Sequence, residues 1–297
     1  MLNDPAFASQ GTYSLPVVSG SNPNLEAEKS DSWTIGTVIQ PRFVRNLSIS
    51  VDYYNIRVNG VIQSVTAQQI ANSCYDLPTL DNPFCALFTR YRGTGAGSLG
   101  ETPGQILGNS LIQAPLNYAS RVRKGIDTQV SYRGDLGGEV SFASNLIYTH
   151  NFKISDYTNP QDPNYENVLL TELGNPQDEF QLDTDLTIGQ VTFGYRAHLI
   201  GPMYLNTYED FNAVGGRAAE NADYADVAKY PTITYHDIRF EWNLKNEGGF
   251  GRDFQFYGGI DNVFNQHPPF GSTGTGSGSS IYDIRGRNFY AGFRARF

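Results

Sequence analysis

Apolar and polar side chains alternate along much of the chain. Between residues 237 and 244, for example, Ile238, Phe240 and Trp242 are separated by Arg239 and Glu241. Because successive side chains of a β-strand point to opposite faces, this period of two places the apolar residues on one face of a sheet. The same alternation predicts about nine strands, at residues 33–39, 47–54, 126–132, 140–148, 180–188, 191–199, 237–244, 254–260 and 289–297.

The lengths of the strands and links indicate a membrane protein. Several strands are predicted to reach ten or more residues, whereas globular strands average about five or six and a tilted strand needs about 9–11 to cross a bilayer. Short links are predicted at 40–45, 134–138, 189–190 and 246–251, and long links at 59–119, 155–177, 202–231 and 265–285. Such alternation is typical of an all-β, antiparallel, up-and-down transmembrane barrel with short periplasmic turns and long extracellular loops.

The polarity of the two faces supports the same fold. Charged residues such as Asp183, Asp185, Arg239 and Glu241 share the face opposite the Leu, Ile, Val, Phe and Trp side chains. Facing lipid, a charged side chain would cost a few kcal/mol near the bilayer midplane, whereas facing a wet interior it costs little. A small soluble barrel has the reverse arrangement, with its apolar side inside. The sequence therefore predicts an apolar exterior and a hydrated lumen.

Composition and charge exclude other classes. Tyr, Phe and Gly number 19, 18 and 31, yet hydrophobic residues make up only 39%, which fits many strands that are each apolar on one face. No stretch approaches the roughly 18 consecutive apolar residues of a transmembrane helix. The net charge of −9 argues against a nucleic-acid partner, which needs a basic face. No signal peptide is visible in residues 1–10, so we expect the natural N-terminus to lie elsewhere.

Cys74 and Cys85 are the two cysteines, in a stretch that looks like a loop because Pro78 and Pro83 lie between them. Two cysteines at short spacing predict one disulfide that closes a small loop in an oxidising compartment. Two unrelated free thiols are the alternative. A zinc site needs four ligands, and no histidine lies nearby.

Motifs for catalysis or cofactor binding do not appear in a suitable context. Gly95-Ala-Gly97-Ser-Leu-Gly100 matches the dinucleotide-binding fingerprint by letter, but it lacks the buried strand and following helix that the fingerprint requires. The four histidines show no ligand spacing, and no nucleophile has a recognisable partner. We therefore predict no catalytic, cofactor-binding or metal-binding residue. The Gly/Ser-rich residues 271–280 are expected to form a loop tip.

Several segments resemble the barrel of TonB-dependent outer-membrane receptors. They are Asn22-Pro-Asn-Leu-Glu-Ala-Glu-Lys-Ser30, where the family usually has Pro at the position of Ala27, together with Ser50-Val-Asp-Tyr-Tyr-Asn-Ile56, Gly259-Ile-Asp-Asn-Val-Phe-Asn265 and the closing Gly286-Arg-Asn-Phe-Tyr-Ala-Gly-Phe-Arg-Ala-Arg-Phe297. The last strand also resembles the signal that outer-membrane assembly machinery reads, carried by Phe289, Phe293 and Phe297.

The resemblance implies that residues 1–297 are the C-terminal portion of the receptor barrel, with nine or ten strands of about 22 and without the N-terminal plug or the first barrel strands. It implies location in the outer membrane of a Gram-negative bacterium and import of a scarce nutrient: a siderophore, a cobalamin-like cofactor or an oligosaccharide. The expected partners are outer-membrane lipid, the assembly machinery, a small nutrient ligand, and the TonB–ExbB–ExbD complex acting through the plug.

Aromatic residues in the long links are candidate ligand contacts, because their rings can stack on sugars or on aromatic siderophores. The alternative is that they form an interfacial girdle or pack the loops together. A passive porin, another outer-membrane barrel, or a soluble β-rich glycan-binding module remains a competing interpretation of the whole chain. The candidates are Tyr75, Phe88, Tyr91, Tyr157, Tyr165, Tyr208, Phe211 and Tyr224.

Overall fold

The computed structural model describes residues 15–245, 253–269 and 281–296. In chain order its elements are β1 (Val17–Ser19), β2 (Lys29–Ile39), β3 (Leu47–Gln63), α1 (Ala67–Asp76), a 3₁₀ turn (Cys85–Leu87), β4 (Leu111–Gln113), β5 (Leu116–Gly137), β6 (Val140–Tyr157), β7 (Asn167–Val168), β8 (Asp178–Ile188), β9 (Val191–Ile200), β10 (Met203–Tyr204), α2 (Tyr208–Phe211), β11 (Lys229–Tyr230), β12 (Ile233–Lys245), β13 (Asp253–Asp261) and β14 (Asn288–Arg296).

The long strands form a single meander in which neighbours along the chain are neighbours in the sheet. Their order is β2-β3-β5-β6-β8-β9-β12-β13-β14, with β7 paired to β6 off this path. From β6 to β14 every pair along the path is antiparallel. The nine predicted strands and the all-β antiparallel fold class are therefore confirmed.

Some predicted boundaries were wrong. The strand that begins at Leu116 runs on to Gly137, so the link placed at 134–138 is instead a two-residue turn at 138–139. The backbone of polar residues such as Arg133 and Asp135 continues the sheet ladder here, because polar side chains are compatible with a hydrated sheet face. The predicted turn at 189–190 is confirmed. The predicted link at 246–251 lies outside the described residues.

The apolar face of the sheet is open rather than packed. Phe240, Phe289 and Phe293 are 40%, 67% and 55% exposed. Rings on neighbouring strands contact one another instead, as in Phe193–Phe240 and Phe256–Phe293, with centroids 5.6 and 4.9 Å apart. Large contiguous apolar surface is rare on soluble monomers, so this face requires an apolar environment.

Ion pairs connect the strands on the polar face. Asp183 Oδ1 lies 2.6 Å from Arg196 Nε, and Asp185 Oδ1 lies 2.6 Å from Arg239 Nη2. Gly194 lies between Asp185 and Arg239 in the register. A Cβ at Gly194 would stand 2.8 Å from Arg239 Nε and 2.9 Å from Asp185 Oδ1, so the missing side chain lets the pair meet across the strand. These half-exposed pairs suit a wet surface and add little stability.

The described residues form two compact units: those within 1–31, 57–121 and 156–167 form one, and those within 32–56, 122–155 and 168–297 form the other. The first has a core of buried residues from the link between β3 and β5, including Ile70, Phe84 and Leu111. The second contains most residues of the long strands and a smaller core around Ile200 and Met203. No helix in the described ranges has both the length and the apolar character needed to cross a membrane.

Candidate functional site

All candidate ligand contacts except Tyr157, the last residue of β6, lie in the long links, which the structure places at residues 64–115, 158–177 and 201–232. The first link begins with helix α1, so the interpretation of the stretch around Cys74 as a loop was wrong. Thr66 Oγ1 accepts the Gln69 N–H at 3.2 Å, and Gln69 Oε1 accepts the Thr66 N–H at 2.9 Å. This reciprocal capping box satisfies two backbone donors that would otherwise lack partners and starts the helix.

The helix is fastened to the 3₁₀ turn. Cys74 Sγ and Cys85 Sγ lie 2.06 Å apart, a bonded pair, and Cys74 is almost fully buried. Asn82 supports the intervening turn: its Nδ2 donates to the Thr79 carbonyl at 2.7 Å, and its Oδ1 accepts the Phe84 and Cys85 N–H groups at 3.0 and 3.1 Å. The disulfide and the hydrogen bonds of Asn82 together hold the end of α1 against the 3₁₀ turn.

Two candidate aromatic residues, Tyr75 and Phe88, meet around Arg90. Their ring centroids are 6.3 Å apart, and Arg90 Cζ lies 4.8 Å from the Tyr75 centroid and 5.9 Å from the Phe88 centroid. Arg90 Nε also donates to Tyr75 Oη, and its Nη1 donates to the Gly104 carbonyl. These rings thus bind the chain's own guanidinium by cation–π contact, which stiffens the link.

The glycine-rich residues 95–100 wrap around a buried carboxylate instead of forming a nucleotide site. Glu101 is 6% exposed, and its oxygens accept the Gly108 N–H at 2.7 Å and the Leu99 N–H at 2.9 Å. A Cβ at Gly97 would collide with Glu101 Oε2. The Gly108 and Leu99 amides favour the charged form, so they lower the pKa of Glu101 below the ordinary 4.5.

We expect this carboxylate to make the opening of residues 97–108 depend on pH. A folded pKa below the unfolded value gives stabilisation that is fully present above about pH 5 and lost as pH falls through the folded pKa. In Glu101→Gln, one of the two carboxylate oxygens becomes an NH₂ group, which cannot accept a hydrogen bond. The backbone N–H that faces this group, of Leu99 or of Gly108, loses its partner and should exchange on the order of tenfold faster at neutral pH. The measurement is the variant-to-wild-type ratio of hydrogen-exchange rates. In acid the Glu101 carboxylate of the wild type is protonated as well, so the ratio should approach one. A ratio that does not change with pH would show that the charge of Glu101 does not stabilise residues 97–108.

The link 201–232 contains the larger aromatic group, the Tyr204 cluster, defined by Tyr204, Tyr208, Phe211 and Tyr224. Phe211 stacks on Tyr204 with centroids 5.1 Å apart, and Tyr208 meets Tyr204 edge-on at 5.6 Å. Tyr224 meets Phe211 edge-on at 5.9 Å. Lys229 Nζ lies 4.3 Å from the Tyr204 centroid, because β10 and β11 pair Tyr204 with Lys229.

The structure thus brings together Tyr75 with Phe88, and separately Tyr208, Phe211 and Tyr224. Of the other candidates, Tyr91 and Tyr165 are half-buried in their links. The placement of Tyr157 in a link was wrong, because the ladder of β6 continues to this residue, which is half-buried at the end of the strand. Three other aromatic residues of the long links are buried: Phe84 in the link 64–115, and Tyr204 and Tyr230 in the link 201–232. Phe289 and Phe293 lie on β14, and Phe297 lies outside the described residues.

Sequence reasoning missed Arg90, Glu101 and Lys229, which organise these links. Only Glu101 had a local signal in the sequence. It follows several glycines, and glycine allows the backbone to come close to a neighbouring group such as a carboxylate. Within the described ranges, no group of three or more His, Cys, Asp or Glu side chains is placed to hold a metal ion.

Comparisons with known proteins define the family. Residues 3–263 match the model of the "TonB dependent receptor-like, beta-barrel" family. The chain is similar to the siderophore receptor PirA from Acinetobacter baumannii (TM-score 0.52, 14% identity) and to a mutant of the ferric enterobactin receptor PfeA from Pseudomonas aeruginosa in complex with enterobactin (TM-score 0.55, 14% identity). It is also similar to the FrpB iron transporter from Neisseria meningitidis (TM-score 0.52, 11% identity).

In each of these three comparisons the match covers 93% of this chain and 32% of the solved chain, so this chain spans about a third of those receptors. At such identities the likeness shows the shared fold alone. No curated protein sequence matches. The extent of the family match nevertheless decides the classification: the chain belongs to the TonB-dependent receptor β-barrel family, whose members are transporters, not enzymes, of the Gram-negative outer membrane.

Proposed function

We propose that this chain is the C-terminal portion of the barrel of a TonB-dependent importer and that its long links bind a scarce nutrient for uptake. The observation that carries the proposal is the two-faced sheet with links of unequal length. Its apolar face is exposed, its polar face holds partly exposed ion pairs, and its links alternate between short links of two to seven residues and long links of 20 residues or more. Outer-membrane barrels combine these features.

The ends of the sheet support membership in a larger barrel. Along the described strands, β2 and β14 each have a neighbour on one side of the sheet path. A free strand edge in lipid leaves backbone N–H and C=O groups without partners, at several kcal/mol each. Further strands of the same barrel, outside residues 1–297, would satisfy both edges.

Import would require partners beyond this chain. In the proposed mechanism, ligand binds the extracellular links and a plug within the barrel, and the TonB–ExbB–ExbD complex moves the plug with energy from the inner membrane. In that assembly this chain would supply part of the barrel wall and three of the long links that face the ligand. Candidate cargoes are a siderophore complex, a cobalamin-like cofactor and an oligosaccharide; the names of PirA, PfeA and FrpB indicate iron uptake for those proteins.

Uptake in cells tests the proposal. The complete receptor would be expressed in a strain whose growth depends in turn on a ferric siderophore, on cobalamin or on an oligosaccharide, with and without TonB. We expect uptake of one cargo that stops when TonB is deleted or the proton gradient is collapsed. Uptake that persists without TonB would instead identify a passive porin and overturn the proposal.

A further inference from the structure

We propose that the Tyr204 cluster is a stacking site for an uncharged oligosaccharide. The inference rests on the proposed function and deepens it by naming the substrate class. Three features of the link 201–232 carry it: an exposed aromatic surface, an excess of carboxylates, and a cation already placed on the innermost ring.

The rings form a supported platform. Tyr204 is buried, Phe211 and Tyr208 are half-buried against it, and Tyr224 is 49% exposed at the outer end. The Tyr204 hydroxyl donates to Asn212 Oδ1 at 3.2 Å, and Asn212 Nδ2 donates to the Tyr208 carbonyl at 2.9 Å. The inner rings are thus held in place before a ligand arrives, which reduces the ordering cost of binding. An exposed Tyr ring offers an apolar face and a hydroxyl, a combination that suits a sugar.

The charge of the link disfavours an anionic ligand. Residues 201–232 include five carboxylate side chains and two basic ones. Two of the carboxylates, Glu209 and Asp210, belong to α2, the turn that carries Tyr208 and Phe211. Burial first, and then the nearby charges of Glu209 and Asp210, raise the pKa of Glu172, so further negative charge is disfavoured beside this group. A ferric tris-catecholate, which carries three net negative charges, would meet the same repulsion.

A cationic ligand is also disfavoured. The ammonium group of Lys229 already lies over the Tyr204 ring. Tyr204 is 8% exposed and contacts Phe211 and Tyr208 as well, so little of its surface remains for a second cation. A ligand cation would therefore compete with a cation–π contact that the chain makes internally.

Hydrogen-bonding groups that suit hydroxyls flank the exposed ring. The Tyr224 N–H donates to the Asn221 carbonyl at 3.0 Å, and the Asn221 N–H donates to the Asp210 carbonyl at 3.1 Å, so the turn 221–224 is fixed next to α2. The side chains of Asn221 and Asp223 are exposed in this turn. An amide and a carboxylate supply the donors and acceptors that sugar hydroxyls need, without requiring charge on the ligand.

The test measures binding to the intact protein in detergent micelles. Its probes are a glycan array of neutral, uronic-acid and sulfated oligosaccharides, and a separate titration with ferric enterobactin. We expect binding to neutral glycans, roughly tenfold weaker in Tyr224→Ala. Tyr224→Phe keeps the ring and should keep most of the affinity. Val227→Ala, at another exposed position of the same link, should bind like wild type.

The inference is overturned if no neutral glycan binds, if only acidic glycans bind, if ferric enterobactin binds more tightly than every glycan, or if Tyr224→Ala binds neutral glycans unchanged. These results are separable from a failure of the proposed function. TonB-dependent uptake of an anionic iron chelate would agree with the proposed importer function but contradict the oligosaccharide as its substrate. Uptake without TonB would contradict the importer function, whichever glycans bind on the array.

Discussion

Replacing Phe240 with arginine is expected to destabilise the membrane-inserted protein by about 2–4 kcal/mol. Phe240 lies near the middle of β12 on the apolar face, and its ring contacts Phe193 at a centroid distance of 5.6 Å. The guanidinium would have to enter hydrocarbon or draw water into it, and the ring contact would be lost. The measurement is the free energy of unfolding by guanidinium chloride in phospholipid vesicles.

Asn243→Arg is the matched control on the same strand. Asn243 lies on the polar face, three positions further along, opposite Gln255 in the register. An arginine there faces water, so we expect a change of less than about 1 kcal/mol. Equal losses in the two variants would show that the faces are assigned wrongly. A soluble β-rich module would behave differently again: Phe240→Arg would increase its solubility without a large loss of stability.

The sheet could be predicted because its signal is local. A period of two specifies which face of the sheet each residue occupies, independently of distant parts of the chain. The alternation therefore located all nine long strands. The prediction failed where the apolar–polar alternation became weak although the hydrogen-bonded ladder continued, as at Arg133–Gly137 of β5.

Helix α1 was also missed, although the Thr66–Gln69 capping box was visible in the sequence. Pro78 and Pro83, which follow α1, indicate a loop only for the residues after the helix.

The site could be predicted only as a set of residue types. Sequence identified aromatic residues in the long links, but it could not separate the buried Phe84 from the exposed Tyr224, because burial depends on contacts between distant segments. The position of Lys229 over Tyr204 follows from the pairing of β10 with β11, across 24 intervening residues. The pKa of Glu172 is raised by burial first and then by the charges of Glu209 and Asp210, which belong to another link.

Removing the Cys74–Cys85 bridge is expected to loosen the link 64–115 by about 3 kcal/mol, the chain-entropy estimate for a closed loop of this size. The double variant Cys74→Ala/Cys85→Ala avoids a free thiol. Cys74 packs in the core with Ile70 and Phe84, so the loss of the bond also removes buried contacts. The measurement is hydrogen exchange at the amides of α1 and the 3₁₀ turn, which should accelerate on the order of a hundredfold if local opening follows this free energy.

The effect should remain local, because both cysteines belong to one link and their sequence separation is 11 residues. Amides of β9 and β12 serve as the internal reference and should keep their exchange rates. Reducing agent should reproduce the acceleration in the wild type and add nothing in the double variant. If wild type and variant exchange alike at α1, the helix is held by its capping box and buried face, and the bridge contributes little to the rigidity of this link.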